Sequence, residues 1–213
     1  MTASANQLNN PDLPLFNTLE YDLKIEELKT IIKQMIKKKS FKQDYVNKFT
    51  LASGKKSAFY FNIKSTILTP EGGDLVAKLF ILKFIEKYNI QAVGGLESGA
   101  IPVISQISAI SLNFGKKPVK GFYVKKKTKE HGDKNLIEGA LKPSDKDLNI
   151  MVVDDVITEG GSISKAIEVL RDNGYKNIKV ISSILQREGR GRKKLEEQGF
   201  IYEPIFEERD FVE

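Results

Sequence analysis

The chain contains no cysteine and no tryptophan, and only one histidine and three methionines in 213 residues. Without cysteine there is no disulfide framework and no thiolate metal site, a composition suited to a reducing compartment. No apolar run approaches the roughly 20 residues that a membrane-spanning helix needs. Met1 to Asn10 lacks the apolar core of a secretory signal. A cytoplasmic protein with no membrane partner is therefore expected, long enough for one substantial α/β domain.

Acidity is also scarce in one place. The net charge is +6, from 34 Lys and Arg against 28 Asp and Glu. Between Lys116 and Lys134 stand eight lysines and only two acids, Glu130 and Asp133, which accounts for the whole excess. A nucleic-acid coat would spread its charge over a face or a helix. One lysine-rich loop points instead to a single small polyanion, and no nucleic-acid partner is expected.

Three patterns carry chemistry. The first is Asp154-Asp155-Val156-Ile157-Thr158-Glu159-Gly160-Gly161-Ser162, between the apolar run Ile150-Met151-Val152-Val153 and an amphipathic segment from Ile163 to Leu170. It reads as a buried parallel strand, a polar turn carrying both acids, and a helix start. Glycines there let several backbone N–H groups converge, and a helix N-terminus favours an anion. Two carboxylates would repel a phosphate placed on them, so they suit sugar hydroxyls or a cation beside the phosphate. An ordinary strand-to-helix connection also uses Gly, Ser and Asp, but seldom in this whole string. The string resembles the phosphoribosyl pyrophosphate (PRPP) signature of the type I phosphoribosyltransferases, in which the acids hold the ribose hydroxyls and the loop holds the 5′-phosphate.

The second pattern is Gly94-Gly95-Leu96-Glu97-Ser98-Gly99-Ala100, another glycine-rich strand-to-helix turn. Close helix–strand packing alone can select such glycines; beside the first pattern, Glu97, Ser98 and Gly99 resemble the family's pyrophosphate loop. The third, residues 125–135, contains no apolar side chain. Such a segment should be mobile when empty. Fixing its backbone costs about 1–2 kcal/mol per residue, against about 4 kcal/mol for a charge pair at 4 Å and an effective dielectric near 20. Several lysines closing on a pyrophosphate would suffice. An isolated lysine run is commonly just a solvated face, but Lys126-x-x-Lys129-x-His131-Gly132 followed by Leu136-Ile137-Glu138-Gly139 resembles the catalytic loop of the orotate branch of the family.

Two further segments resemble that branch. Phe49 to Phe61, with Phe59 and Tyr60, is similar to the strand pair lining its base site. Arg187, in Gln186-Arg187-Glu188-Gly189, stands where the branch has an arginine on the orotate carboxylate, a pairing suited to a guanidinium fork. The resemblance covers about residues 20–210. It implies transfer of a phosphoribosyl group from PRPP to orotate in pyrimidine (UMP) biosynthesis, giving orotidine 5′-monophosphate and pyrophosphate. It further implies Mg2+ carried by PRPP, a homodimer sharing the 125–135 loop, and PRPP contacts from Lys125, Lys126, Lys129, His131 and residues 154–162. Lys126, Lys129, His131 and Asp155 would be catalytic; Phe59, Tyr60, Thr158 and Arg187 would bind orotate. Rival readings are transfer to another nucleobase, or a non-catalytic PRPP-sensing regulator that binds nucleic acid. Four positions depart from the pattern: Lys125 where arginine is common, Ala52 and Gly99 where one branch carries lysines, and Lys127 in place of a frequent acid.

Periodicity supplies the frame. Residues 1–19 are polar and proline-punctuated and read as a flexible extension, and residues 20–213 as one domain with a small N-terminal hood. Ile25 to Lys38 reads as a helix, Phe59–Phe61 as a strand, Thr69 as the cap of a helix running to Tyr88, and Ile101–Leu112 as a helix. Strands are expected at 92–95, 119–124, 149–153, 178–185 and 201–206, with a short helix around Leu195. That alternation predicts a parallel sheet covered on both faces, its ligands at the carboxyl ends of the strands.

Overall fold

A computed structural model describes residues 18–50, 56–114, 117–126 and 135–212. The chain opens with helix α1 (Thr18–Lys39), then strands β1 (Phe41–Gln43), β2 (Phe49–Thr50), β3 (Lys56–Ser57) and β4 (Phe59–Phe61). Short helix α2 (Lys64–Ile67) leads to α3 (Pro70–Phe80), which passes into a π-helical turn at Ile81–Ile85. Then follow β5 (Ala92–Gly94), α4 (Ala100–Phe114), β6 (Lys120–Val124), β7 (Ile137–Gly139), β8 (Ile150–Ile157), α5 (Gly161–Asp172), β9 (Ile178–Gln186), α6 (Gly191–Glu197) and β10 (Phe206–Glu207). A 3-10 turn, Glu208–Asp210, closes the described chain.

The main sheet has six strands in the order β10-β9-β8-β5-β6-β7. All its pairings are parallel except that of β7 with β6. Strand β8 is buried on both faces, and period 2 divides its side chains between two cores. Met151 and Val153 join Phe80, Phe84 and Ile107 on the α3–α4 side, whereas Ile150 and Val152 join Ile163 and Ile167 of α5. Each fully buried side chain of this kind contributes about 1.5–3 kcal/mol. Helix α3 starts as its sequence requires: Thr69 Oγ1 accepts from Gly72 N at 3.1 Å, and Pro70 takes the first helical position.

The hood consists of two antiparallel pairs, β1 with β4 and β2 with β3. An aromatic cluster ties it to the C-terminal segment. Phe61 stands 4.9 Å from Phe41 and 5.5 Å from Phe211, and Phe211 stands 5.6 Å from Phe206.

Several expectations are corrected. Helix α1 begins at Thr18, inside the stretch read as an extension; residues 1–17 lie outside the described residues. The strand before the signature does not stop at Val153. Pairing with β9 continues through Asp154↔Ser183 and Val156↔Leu185 to Ile157↔Gln186, so both acids belong to the strand and the turn starts at Thr158. The strand expected at 201–206 becomes an isolated bridge, Ile181↔Tyr202, and the two residues of β10. Pro204 between them brings no N–H.

Candidate active site

Strands β5, β6, β8 and β9 run parallel, so the turns after them share one edge of the sheet, as expected from the topology. A cavity of about 440 Å3 there is lined by Tyr60, Asp154, Asp155 and the turn from Thr158 to Ser162. A second, of about 710 Å3, is lined by Ser57, Phe59, Gln186 and Glu208 among others. Thr158, Glu159 and Arg187 line both. The cleft therefore has two compartments meeting at three residues.

The first compartment is built for an anion beside hydroxyls. Gly160 caps α5 in the left-handed conformation, φ +71°, with no side-chain cap bond, so the first-turn N–H groups are not claimed by a capping side chain. The turn is braced from the segment after β9: Gly191 N, at the start of α6, donates to Thr158 O at 2.9 Å and Arg187 N to Ile157 O at 2.8 Å. The two acids differ. Asp155 Oδ2 is 2.7 Å from Lys64 Nζ, and its Oδ1 accepts from Val156 N at 3.0 Å. Asp154 Oδ1 accepts from Asp155 N, at 2.9 Å. Burial, and next the charge of Asp155, push the Asp154 carboxyl well above the ordinary carboxylate range.

The pyrophosphate-loop candidates lie against those acids. A side chain on Gly99 would bring its Cβ to 2.5 Å from Asp155 Oδ1 and 2.8 Å from Asp154 Oδ1. The departure from lysine at this position thus lets the loop close on the carboxylates. Glu97 fixes the next loop, its Oε1 accepting from Lys126 N at 2.6 Å.

Lys126 is exposed, and its carbonyl accepts from Lys165 Nζ at 2.5 Å. Lys125, expected at PRPP, is 6% exposed, its ammonium 2.8 Å from Glu138 Oε1, while the Tyr123 hydroxyl donates to Glu138 Oε2. That ion pair sets its ammonium against the hairpin of β6 and β7. Lys129 and His131 lie outside the described residues, as do Ala52 and Lys127.

Phe59, Thr158 and Arg187 line the second compartment together, and Tyr60 lines the neighbouring cavity. Sequence reasoning missed Lys64, which sits on a short helix without a usable period, and Glu208, which hides in the charged string Glu207-Glu208-Arg209-Asp210. Glu208 Oε1 is 2.9 Å from Arg187 Nη2.

Comparison with known proteins fits this geometry. The model of the phosphoribosyl transferase domain matches residues 65–206. An orotate phosphoribosyltransferase of Bradyrhizobium sp. (strain BTAi1) is 38% identical over 182 residues, 84% of this chain and 94% of the relative. That of Aquifex aeolicus is 36% identical over 173 residues, 81% of this chain and 91% of the relative. The crystal structure of the Mycobacterium tuberculosis orotate phosphoribosyltransferase superposes with a TM-score of 0.72 at 24% identity, covering 87% of this chain and 99% of the other, a likeness of fold.

Proposed function

Because this chain belongs to the phosphoribosyl transferase family, we propose that it transfers the 5-phosphoribosyl group of PRPP to orotate. The products are orotidine 5′-monophosphate and pyrophosphate, and the step serves pyrimidine biosynthesis. The observation that carries the reading is the meeting of a phosphate-and-ribose compartment with a base compartment at Thr158, Glu159 and Arg187.

A ring nitrogen of orotate forms a bond to the anomeric carbon while the carbon–oxygen bond to pyrophosphate breaks. The transition state has oxocarbenium character, like that of glycosidases. No side-chain nucleophile is required. Asp154 and Asp155 orient the ribose hydroxyls, and the backbone from Thr158 to Ser162 receives the 5′-phosphate at the start of α5. Lys126, Lys129 and His131 stabilise the charge that develops on the leaving pyrophosphate, with His131 a proton donor to it. Phe59 and Tyr60 hold the base, and Arg187 its carboxylate.

Among the described residues no three acidic or imidazole groups converge on one point. Two adjacent carboxylates, one held by Lys64, suit a magnesium ion that arrives on PRPP and keeps phosphate and water ligands. Bound there, it would neutralise charge on the departing oxygens. A cytoplasmic setting and a homodimer sharing the 125–135 loop belong to the same proposal. If the loop is shared, mixing Lys129→Ala and Asp155→Asn subunits restores activity that neither has alone; failure to complement removes the sharing.

The deciding experiment incubates the protein with PRPP, magnesium and a panel of orotate, uracil, adenine and hypoxanthine. Orotate is expected to be consumed with one pyrophosphate released per nucleotide. Turnover confined to another base would overturn the assignment. Salt-sensitive nucleic-acid binding with no pyrophosphate released would favour a regulator.

A further inference from the structure

The base compartment, expected to offer a positive fork to an anionic base, contains a carboxylate already seated on that fork. Arg187 Nε lies 3.2 Å from Glu208 Oε2, and Arg187 Nη2 lies 2.9 Å from Glu208 Oε1. Glu208 Oε2 also accepts from Glu188 N at 3.0 Å. The second proton-bearing side of Nη2 faces Ser57 Oγ at 3.2 Å and the Phe59 carbonyl at 3.4 Å. Nη1 makes no hydrogen bond to any described residue. The two side chains are only 10% and 11% exposed. The Phe61 ring lies 5.4 Å from the guanidinium, and Phe61 and Phe211 pack together on either side in sequence of this pair.

We infer that Glu208 is a positioning residue for base selection: it holds the Nε–Nη2 edge of Arg187 and leaves Nη1 as the donor to the carboxylate of orotate. This deepens the proposed function and rests on it. An arginine with both edges open accepts a carboxylate in several orientations. With one edge claimed, the incoming group has one donor atom and therefore one placement, which fixes the ring nitrogen relative to the ribose across Thr158. The pair also leaves the compartment nearly neutral in sum. Selection then comes from the directed Nη1 bond rather than from bulk positive charge, which would also attract free phosphate or pyrophosphate.

The test is steady-state kinetics of full-length Glu208→Ala and Glu208→Gln with orotate and PRPP varied separately. The Ala variant frees the fork and raises the orotate KM about tenfold, the scale of one charge-assisted hydrogen bond. The Gln variant has nearly the same volume and keeps one acceptor, so its orotate KM rises about threefold, while the PRPP KM of both stays within about twofold of wild type. If the Ala variant does not fold, the Gln variant decides alone. An unmoved orotate KM, or a PRPP KM that rises in parallel, overturns the inference. Wild-type turnover is measured first. Its absence with orotate sinks the functional reading and this inference with it, whereas normal wild-type turnover with unmoved variants sinks only the role of Glu208.

Discussion

At the proposed base end of the cleft, Arg187 is 10% exposed, paired with Glu208 and backed by the Phe61 ring. At the proposed pyrophosphate end, Lys126 is exposed, and it meets Glu97 and Lys165 through backbone atoms: its N–H donates to Glu97 and its carbonyl accepts from Lys165. One cation is fixed before substrate arrives, and the other has a four-carbon stem to bring into place afterwards. The difference follows the chemistry. A flat base must be placed within a fraction of an ångström, which rewards a preformed pocket. A leaving pyrophosphate needs positive charge over several oxygens, which flexible ammonium groups can supply from more than one position.

The strongest way to break that contrast is to loosen the rigid end. Phe211 packs against Phe61 and Phe206 and is 3% exposed. Phe211→Ala should cost about 3–5 kcal/mol of stability and raise the orotate KM more than the PRPP KM, measured by denaturant melts and steady-state kinetics. At the other end the order reverses. Lys126→Ala, and likewise Lys129→Ala, should lower kcat by about 10²-fold, as loss of an electrostatic stabiliser does, with a melting temperature close to wild type. A collapse of the melting temperature would make that segment structural and end the comparison.

How much of this was legible in the sequence follows the same division. The β8–α5 signature was legible because a buried strand, an acid pair and a glycine turn each leave a local mark. So was the helix start at Thr69, whose cap is a matter of four neighbouring residues. Long-range closure left none. Nothing local in Lys64-Ser65-Thr66-Ile67 announces that its lysine crosses 91 residues of sequence to reach Asp155. Glu208 looks like one more solvated acid until the Phe211 cluster folds the C-terminal segment against the hood. The end of β8 was misplaced for a related reason: Asp154 and Asp155 look like turn residues, and only pairing with β9 makes them strand.

The two acids offer a sharper comparison within the first compartment. Asp154 is buried beside the charge of Asp155, which the more distant Lys64 ammonium only partly offsets, and its carboxyl is raised well above the ordinary value of 3.8. In the folded state it therefore holds a proton that the unfolded chain releases. Stability from this group is fully present below 3.8 and is lost as pH rises through the raised folded value. Asp154→Asn keeps an acceptor for Asp155 N and removes the charge. It should abolish that loss, stabilise the protein by about 1 kcal/mol near neutral pH, and lower kcat with PRPP. A variant melting curve that retains the wild-type pH dependence would assign the effect to another group.

The smallest effect is expected where the pairing is half in water. The Lys64 side chain is 40% exposed and that of Asp155 13%, so solvent and salt screen their attraction, and exposed pairs are worth about 0–1 kcal/mol. Lys64→Met should barely move the melting temperature. Its consequence belongs to binding: without the ammonium, Asp155 is free to rotate from the ribose hydroxyls, and the PRPP KM should rise a few-fold while the orotate KM stays put. Raising the salt concentration should mimic the change in wild type and do nothing more in the variant. If the orotate KM moves instead, Lys64 reaches into the base compartment, and the two ends of the cleft are not as separate as the geometry makes them.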